Sequence, residues 1–414
     1  MRNTFCKLLY TMIIGIGLFT AFSGGQMVQA QQRDDKKREA PVVDEKTGKI
    51  MNEAIELINT EQYDAARAKL SGLKLDTLSP YERSRVEQMQ ASIDHTQEKY
   101  DSARSHFQAA IAAGGLNEQE LKDIQYVICQ LYIIEERWKE GISCLEQWFR
   151  TVDKPNSAAY YMLAVSYYQI EDYERALAPA RKAVELSEKP QESWLQLIVA
   201  LYMQRNQYTE AIPVLERLIT MVPDKKTYWL QLSSIYGEKE DYANALAVME
   251  IPYNGGLLTD DSEYRRLADL LMVIGIPYRA AQVLVKGVEL KKVKEDQKLL
   301  EKLANCWVAA REYEKAIGPL EKAAQMAGNG DLYVRLGEVY TQSESWDAAA
   351  KAFKNAFDKG GLKDPGNANL MLGISLYNQK KTKEALDWFK RASTSQKYRK
   401  TANGYIQLIT NTQG

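Results

Sequence analysis

Only two histidines occur in the 414 residues, His95 and His106. They stand eleven positions apart with a turn expected near Tyr100 between them, so they do not share one helix face. Metal centres built on His and Cys need ligands that converge, and no such cluster of spacings is present. Both histidines are therefore expected on the surface, with no metal site. A Gly-x-Ser-x-Gly elbow and a His-Glu-x-x-His pair are also missing, which removes two common hydrolase signatures. Three Gly-Gly-Leu tripeptides occur, at Gly114, Gly255 and Gly360. No Gly-Lys-Ser/Thr follows any of them, so none is a phosphate loop. Carboxylates such as Glu171-Asp172 and Glu238 to Asp241 read as solvated turns rather than paired acids. The net charge is −1, which leaves no basic footprint for nucleic acid over the chain as a whole.

Long apolar runs are nearly absent too. The exception is Leu8 to Phe22, preceded by Arg2 and Lys7 and followed by Val28-Gln29-Ala30. A basic start, a short apolar run and small residues at the cleavage positions form a secretory signal peptide. The expected boundaries are a signal over residues 1–30, cleaved after Ala30, and a flexible charged linker over 31–45. Four cysteines occur, and three remain beyond Ala30. Cys129 and Cys144 fall on the two helices of one expected hairpin, so a disulfide between them suits an oxidising compartment. Three buried free thiols, with Cys306, is the reading the sequence favours, because spacing does not give the distance between the two helices.

What the chain does have is a repeat. An aromatic followed three residues later by a small residue occurs at Tyr63/Ala66, Tyr100/Ala103, Trp138/Gly141, Tyr173/Ala176, Tyr208/Ala211, Tyr242/Ala245, Tyr278/Ala281, Tyr313/Ala316 and Trp346/Ala349. Thr382/Ala385 keeps the small residue alone. Apolar residues three and four apart place one face on each of two helices per repeat, as at Tyr333, Leu336, Gly337 and Tyr340 and then Trp346, Ala349, Phe353 and Ala356. Such a hairpin cannot bury its apolar face alone and needs copies on either side. Gly-Gly-Leu reads as a helix stop, with glycine in the left-handed conformation. Pro252 stands where a small residue packs elsewhere, so the sixth second helix is expected to end early. Gly275 and Pro277 make the seventh repeat the least regular. Tyr398 to Ile409 is expected to add a capping helix.

A period near 34 residues with this pattern resembles the tetratricopeptide repeat over roughly residues 48 to 395. The resemblance implies an all-α, right-handed α-solenoid of about ten helical hairpins across residues 46–414. First helices would line its concave side, and the family's groove positions fall on Tyr126, Gln130 and Ile133; Tyr161, Val165 and Tyr168; Gln196, Ala200 and Met203; Leu230, Ser234 and Gly237. Of these, Tyr126, Ile133, Tyr161, Val165, Tyr168, Met203 and Leu230 are the expected peptide-binding residues. No lysine or arginine is among them, which argues against a clamp for an acidic peptide terminus.

Longer strings add to this. Ser79-Pro80-Tyr81-Glu82-Arg83, Glu192-Ser193-Trp194-Leu195, Lys226 to Tyr236, Gly275 to Ala281, Ala310 to Ala316 and Lys359 to Ala368 occur in this order behind a signal-peptide pattern. In this the chain is similar to the periplasmic tetratricopeptide proteins associated with TonB–ExbB–ExbD energy-transduction systems. That resemblance implies a periplasmic scaffold, not an enzyme, with no cofactor. Its partners would be envelope proteins or peptides, TonB-complex components among them, with membrane contact only through those partners. The alternatives are a general scaffold for envelope or outer-membrane assembly, and an enzyme with a catalytic site that none of the motifs reveals.

Overall fold

The computed structural model describes residues 43–411, so the expected signal peptide and all but the end of the expected linker lie outside the described residues. Within them are 21 α-helices, one short 3-10 turn and no strand. The helices are α1 (Glu45–Asn59), α2 (Tyr63–Ser71), α3 (Pro80–Thr96), α4 (Tyr100–Ala112), α5 (Glu118–Ile134), α6 (Trp138–Phe149), α7 (Ser157–Gln169), α8 (Tyr173–Glu185), α9 (Glu192–Gln204) and α10 (Tyr208–Met221). They continue as α11 (Lys226–Glu238), α12 (Tyr242–Asn254), α13 (Asp261–Val273), α14 (Pro277–Glu289), α15 (Gln297–Ala309), α16 (Tyr313–Met326), α17 (Asp331–Gln342), α18 (Trp346–Lys359), α19 (Pro365–Asn378), α20 (Thr382–Ser393) and α21 (Arg399–Asn411). Odd and even helices pair as hairpins, the construction of a helical solenoid. Contacts divide the chain into two units that meet in sequence between Val214 and Leu215, inside α10. The first helix begins at Glu45 with Asp44 as its cap, so the last two residues assigned to the linker belong to the first hairpin.

The small residues are buried in both units. Ala66, Ala103, Ala176, Ala211, Ala245, Ala316, Ala349 and Ala385 are fully enclosed. Where the small residue is Gly337, a Cβ would lie 2.6 Å from the Phe353 ring, so only glycine admits that ring against the helix backbone.

Each hairpin turns in the same way. The residue two before every second helix has positive φ: Glu61, Glu98, Glu136, Glu171, Asn206, Glu240, Gly275, Arg311, Glu344 and Lys380, with values from 54° to 78°. The next N–H then closes on the carbonyl five residues back, as in Lys99 to Asp94 at 2.8 Å and Asp172 to Tyr167 at 2.9 Å. This closure satisfies the free carbonyls at the first helix's end. It also corrects the seventh repeat. There Gly275 takes the left-handed position and Ile276 N–H closes on Leu271. The second helix therefore starts at Pro277, whose missing N–H costs nothing at a first helical position. The equivalent pair is Pro277/Ala280 rather than Tyr278/Ala281, which leaves Tyr278 40% exposed. The sixth second helix is corrected as well. It runs through Pro252 to Asn254 instead of ending early, losing one hydrogen bond while the ring stays buried. Gly114, Gly256 and Gly360 all have positive φ at the expected stops.

The second hairpin departs from its neighbours. Where the fourth places Tyr160, Leu163 and Tyr167, the second has Glu87, Gln90 and Asp94. The Asp94 carboxylate is 1% exposed. It accepts from Arg67 Nη2 at 2.5 Å and from Ser102 Oγ, and His106 Nε2 lies 3.6 Å away. His106 Nδ1 is 2.6 Å from Glu87 Oε2. His106 is thus held between two carboxylates and half-buried, not a bare surface histidine. His95 is half-buried too, against Tyr100, and burial lowers its imidazole pKa from the ordinary value.

In the second unit the last hairpin is closed by α21. Ala402 and Ile409 are buried, Tyr405 stacks on Phe389 at 4.7 Å, and Thr401, Asn403 and Gln407 face outward. A polar outer face on a terminal helix is what an open stack requires to stay soluble.

Candidate binding surface

The expected groove residues of the first unit lie on α5, α7 and α9, and the structure separates them by burial. Ile133 is 2% exposed, Val165 1% and Tyr161 7%. These three are packing residues, which corrects their assignment to an open peptide-binding face. Tyr161 stacks on Trp194 at 5.2 Å, so its ring fills the space between α7 and α9. Burial pushes its hydroxyl pKa up to about 12, although the Ser193 side chain opposes the shift. Sequence register alone could not show this, because Trp194 lies one place before the pattern position on α9.

Tyr126, Tyr168 and Met203 are half-buried, with the Tyr126 hydroxyl itself enclosed. Tyr126 stacks on Trp148 at 4.6 Å, and Trp148 Nε1 donates to the Lys122 carbonyl at 2.8 Å. Burial raises the Tyr126 hydroxyl well above its usual range. Tyr168 lies 5.4 Å from the Tyr173 ring. Gln130, Gln196 and Ala200 flank them, also half-buried. The remaining surface is short, uncharged and rich in tyrosine, with sulfur at one end.

On the next edge of the same unit, α6 and α7 border an open cavity of about 550 Å³ lined by Phe149, Arg150, Asp153, Pro155, Tyr160 and Leu163, among others. Its wall is held by Tyr167, whose hydroxyl donates to Glu146. Burial and the Glu146 charge push that hydroxyl up to about 12.

Leu230 belongs to the second unit and packs half-buried against its core. The first helices there carry a polar ladder instead of an aromatic row. Lys302 pairs with Asp269 at 2.5 Å, Arg335 donates to Asn305, and Asn367 donates to Glu338 at 2.8 Å. These groups spend their hydrogen-bonding capacity on one another.

Cys129 and Cys144 are joined by a disulfide between α5 and α6, with Cα atoms 5.3 Å apart. Cys306 is a buried free thiol, and its burial pushes its pKa up to about 11. Peptide mapping after thiol labelling of the unfolded, unreduced protein is expected to find label on Cys306 and none on Cys129 or Cys144. Label on Cys129 without reductant would remove the cross-link. Among the described residues no three His, Cys, Asp or Glu side chains converge to hold a metal.

Three segments of the chain, residues 135–192, 199–251 and 334–398, match the model of the tetratricopeptide repeat. Over those segments the chain is similar to the tetratricopeptide repeat. Its hairpins are similar to those of solved proteins with the same repeat. The C-terminal part of a repeat protein from Cytophaga hutchinsonii is 17% identical, with 59% of this chain and 98% of that one covered, at a TM-score of 0.41. A tetratricopeptide repeat protein from Parabacteroides merdae is 17% identical over 63% of this chain and 98% of that one, at 0.33. YrrB, described as a repeat protein with an unusual peptide-binding site, is 19% identical over 39% of this chain and 79% of that one, at 0.34. No curated protein matches the chain. Tetratricopeptide repeats are scaffolds for protein interaction, and the buried repeat residues here hold helices together.

Proposed function

We propose that the chain is an exported scaffold that serves a TonB–ExbB–ExbD type transport system in the periplasm. It would hold a protein or peptide partner along α5, α7 and α9. The observation that carries the binding reading is the uncharged set of Tyr126, Tyr168 and Met203, which stay half-buried where Ile133, Tyr161 and Val165 are buried. Half-buried aromatic and thioether side chains supply contact area at low entropic cost, and such groups anchor peptides with apolar side chains. The Cys129–Cys144 cross-link supports an oxidising compartment, in keeping with the signal-peptide pattern.

Affinity purification from the native envelope tests both parts. Tyr168→Ala with Met203→Ala is expected to lower partner recovery at least tenfold while helicity by circular dichroism is unchanged. Undiminished recovery would move the binding surface elsewhere. Wild-type protein is expected to recover TonB, ExbB or ExbD. Recovery of outer-membrane assembly proteins alone would favour the general scaffold instead.

A further inference from the structure

The strongest charge feature of the molecule lies far along the sequence from that set, around the last hairpin. Between residues 380 and 400 stand eight basic residues, Lys380, Lys381, Lys383, Lys390, Arg391, Lys397, Arg399 and Lys400, against two carboxylates, Glu384 and Asp387. The segment nets +6, and with the chain at −1 the rest nets −7. All eight basic residues are exposed. Three have a carboxylate in reach: Lys381 with Asp347 at 3.9 Å, Lys390 with Asp387 at 4.0 Å and Lys397 with Asp364 at 3.1 Å. Among the described residues none of the other five makes an ion pair. Arg391 lies over the Trp388 ring at 4.4 Å, and Arg399 Nε donates to the Ser393 carbonyl.

The placement is as informative as the count. Lys380 and Lys381 precede α20, Lys383, Lys390 and Arg391 are on it, and Lys397, Arg399 and Lys400 follow it. A helix of this length spans about 18 Å. Neither of the two best-formed pockets includes any of these side chains. Six of the eight are lysines, which act as hydrated point charges, whereas planar two-point recognition of a carboxylate or phosphate uses the arginine fork. Spread-out lysines without a cradle suit a partner whose negative charge is diffuse and extended.

We propose that the α20 hairpin and the start of α21 form a docking surface for an anionic phospholipid bilayer. This replaces the expectation that the membrane is reached only through partners. The contact is peripheral, since no helix among the described residues is long and apolar enough to cross a membrane. It acts within a Debye length, about 8 Å at physiological salt, and polybasic surfaces bind anionic leaflets in this way. It does not depend on the peptide-binding reading, because it uses none of the same residues.

Vesicle co-sedimentation of the full chain tests it. Vesicles of one part phosphatidylglycerol to three parts phosphatidylcholine are compared with pure phosphatidylcholine, which supplies the baseline that the Leu8 to Phe22 run contributes. Binding to the anionic vesicles is expected to exceed the baseline at least tenfold at 0.1 M salt and to fall to it at 0.5 M. The variant Lys380→Glu, Lys383→Glu, Lys390→Glu, Lys400→Glu is expected to bind at baseline with unchanged circular dichroism. A control with the same charge change placed elsewhere, Lys74→Glu, Lys139→Glu, Lys154→Glu, Lys189→Glu, is expected to keep most of the binding. Equal loss in both variants would reduce the effect to net charge and overturn the proposal. So would baseline binding by the wild type, and in that case retention of the wild type on polyglutamate would point to an acidic protein partner.

Discussion

A Gly337→Trp chain is expected to lose protection from hydrogen exchange in α17 and α18, at a cost of about 3 kcal/mol or more. The Phe353 ring already occupies the place a Cβ would take, 2.6 Å from it, and Phe353 is among the largest fully buried side chains. An indole cannot be added without driving that ring out of the core. Stability in a repeat array is passed between nearest neighbours, so the loss should spread to α15, α16, α19 and α20 before it reaches hairpins of the first unit. Ala349→Trp, on the facing helix and fully buried, should act in the same direction. Protection left intact from α15 to α20 in both variants would refute the packing register.

The second large effect is expected at Asp94. Replacing it by Asn keeps a partner for Ser102 but removes the charge that Arg67 needs. Breaking a buried pair costs about 3–5 kcal/mol, and the partial exposure of Arg67 lowers this to about 2–3. Burial raises the Asp94 pKa, but the Ser102 hydroxyl and the Arg67 guanidinium outweigh it and hold the carboxyl below its ordinary value. A carboxylate whose folded pKa is depressed stabilises the fold above its unfolded pKa and stops doing so as pH falls through the folded one. The gap between wild type and Asp94→Asn should therefore be full at pH 7 and shrink as pH falls below about 4. Exchange of α2 to α4 amides at both pH values measures it. A gap as wide at pH 3 as at pH 7 would mean that Asp94 acts by shape and not by charge.

The fold was legible because the repeat writes the same demand many times. A small residue three places after an aromatic places both on one helix face, and nine such pairs at a near-constant spacing need no tertiary information. Among the aromatic/small pairs one is misplaced, at Tyr278, where the aromatic does not mark the start of the helix. The left-handed residue at Gly275 was the better marker, since the turn sets where the second helix starts. The second hairpin lacks the apolar first-helix pattern for a related reason. Polar residues at packing positions break an apolar pattern, and only their partners on other helices show that Glu87 and Asp94 are satisfied.

The binding surface was less legible. Pattern position says which way a first-helix side chain sets out, but not whether a neighbouring helix covers it. Ile133, Val165 and Tyr161 set out like Tyr126 and Tyr168 and are buried. The sequence by itself determined the all-helical repeat, the helix stops at the Gly-Gly pairs and the charge reversal between residues 380 and 400. These depend on spacing and composition, which are local. Only the tertiary structure decided which aromatics stay half-buried, which acid meets which base, and that Cys129 meets Cys144. Each of those depends on distances between helices, and the sequence pattern specifies the helices without specifying the distances.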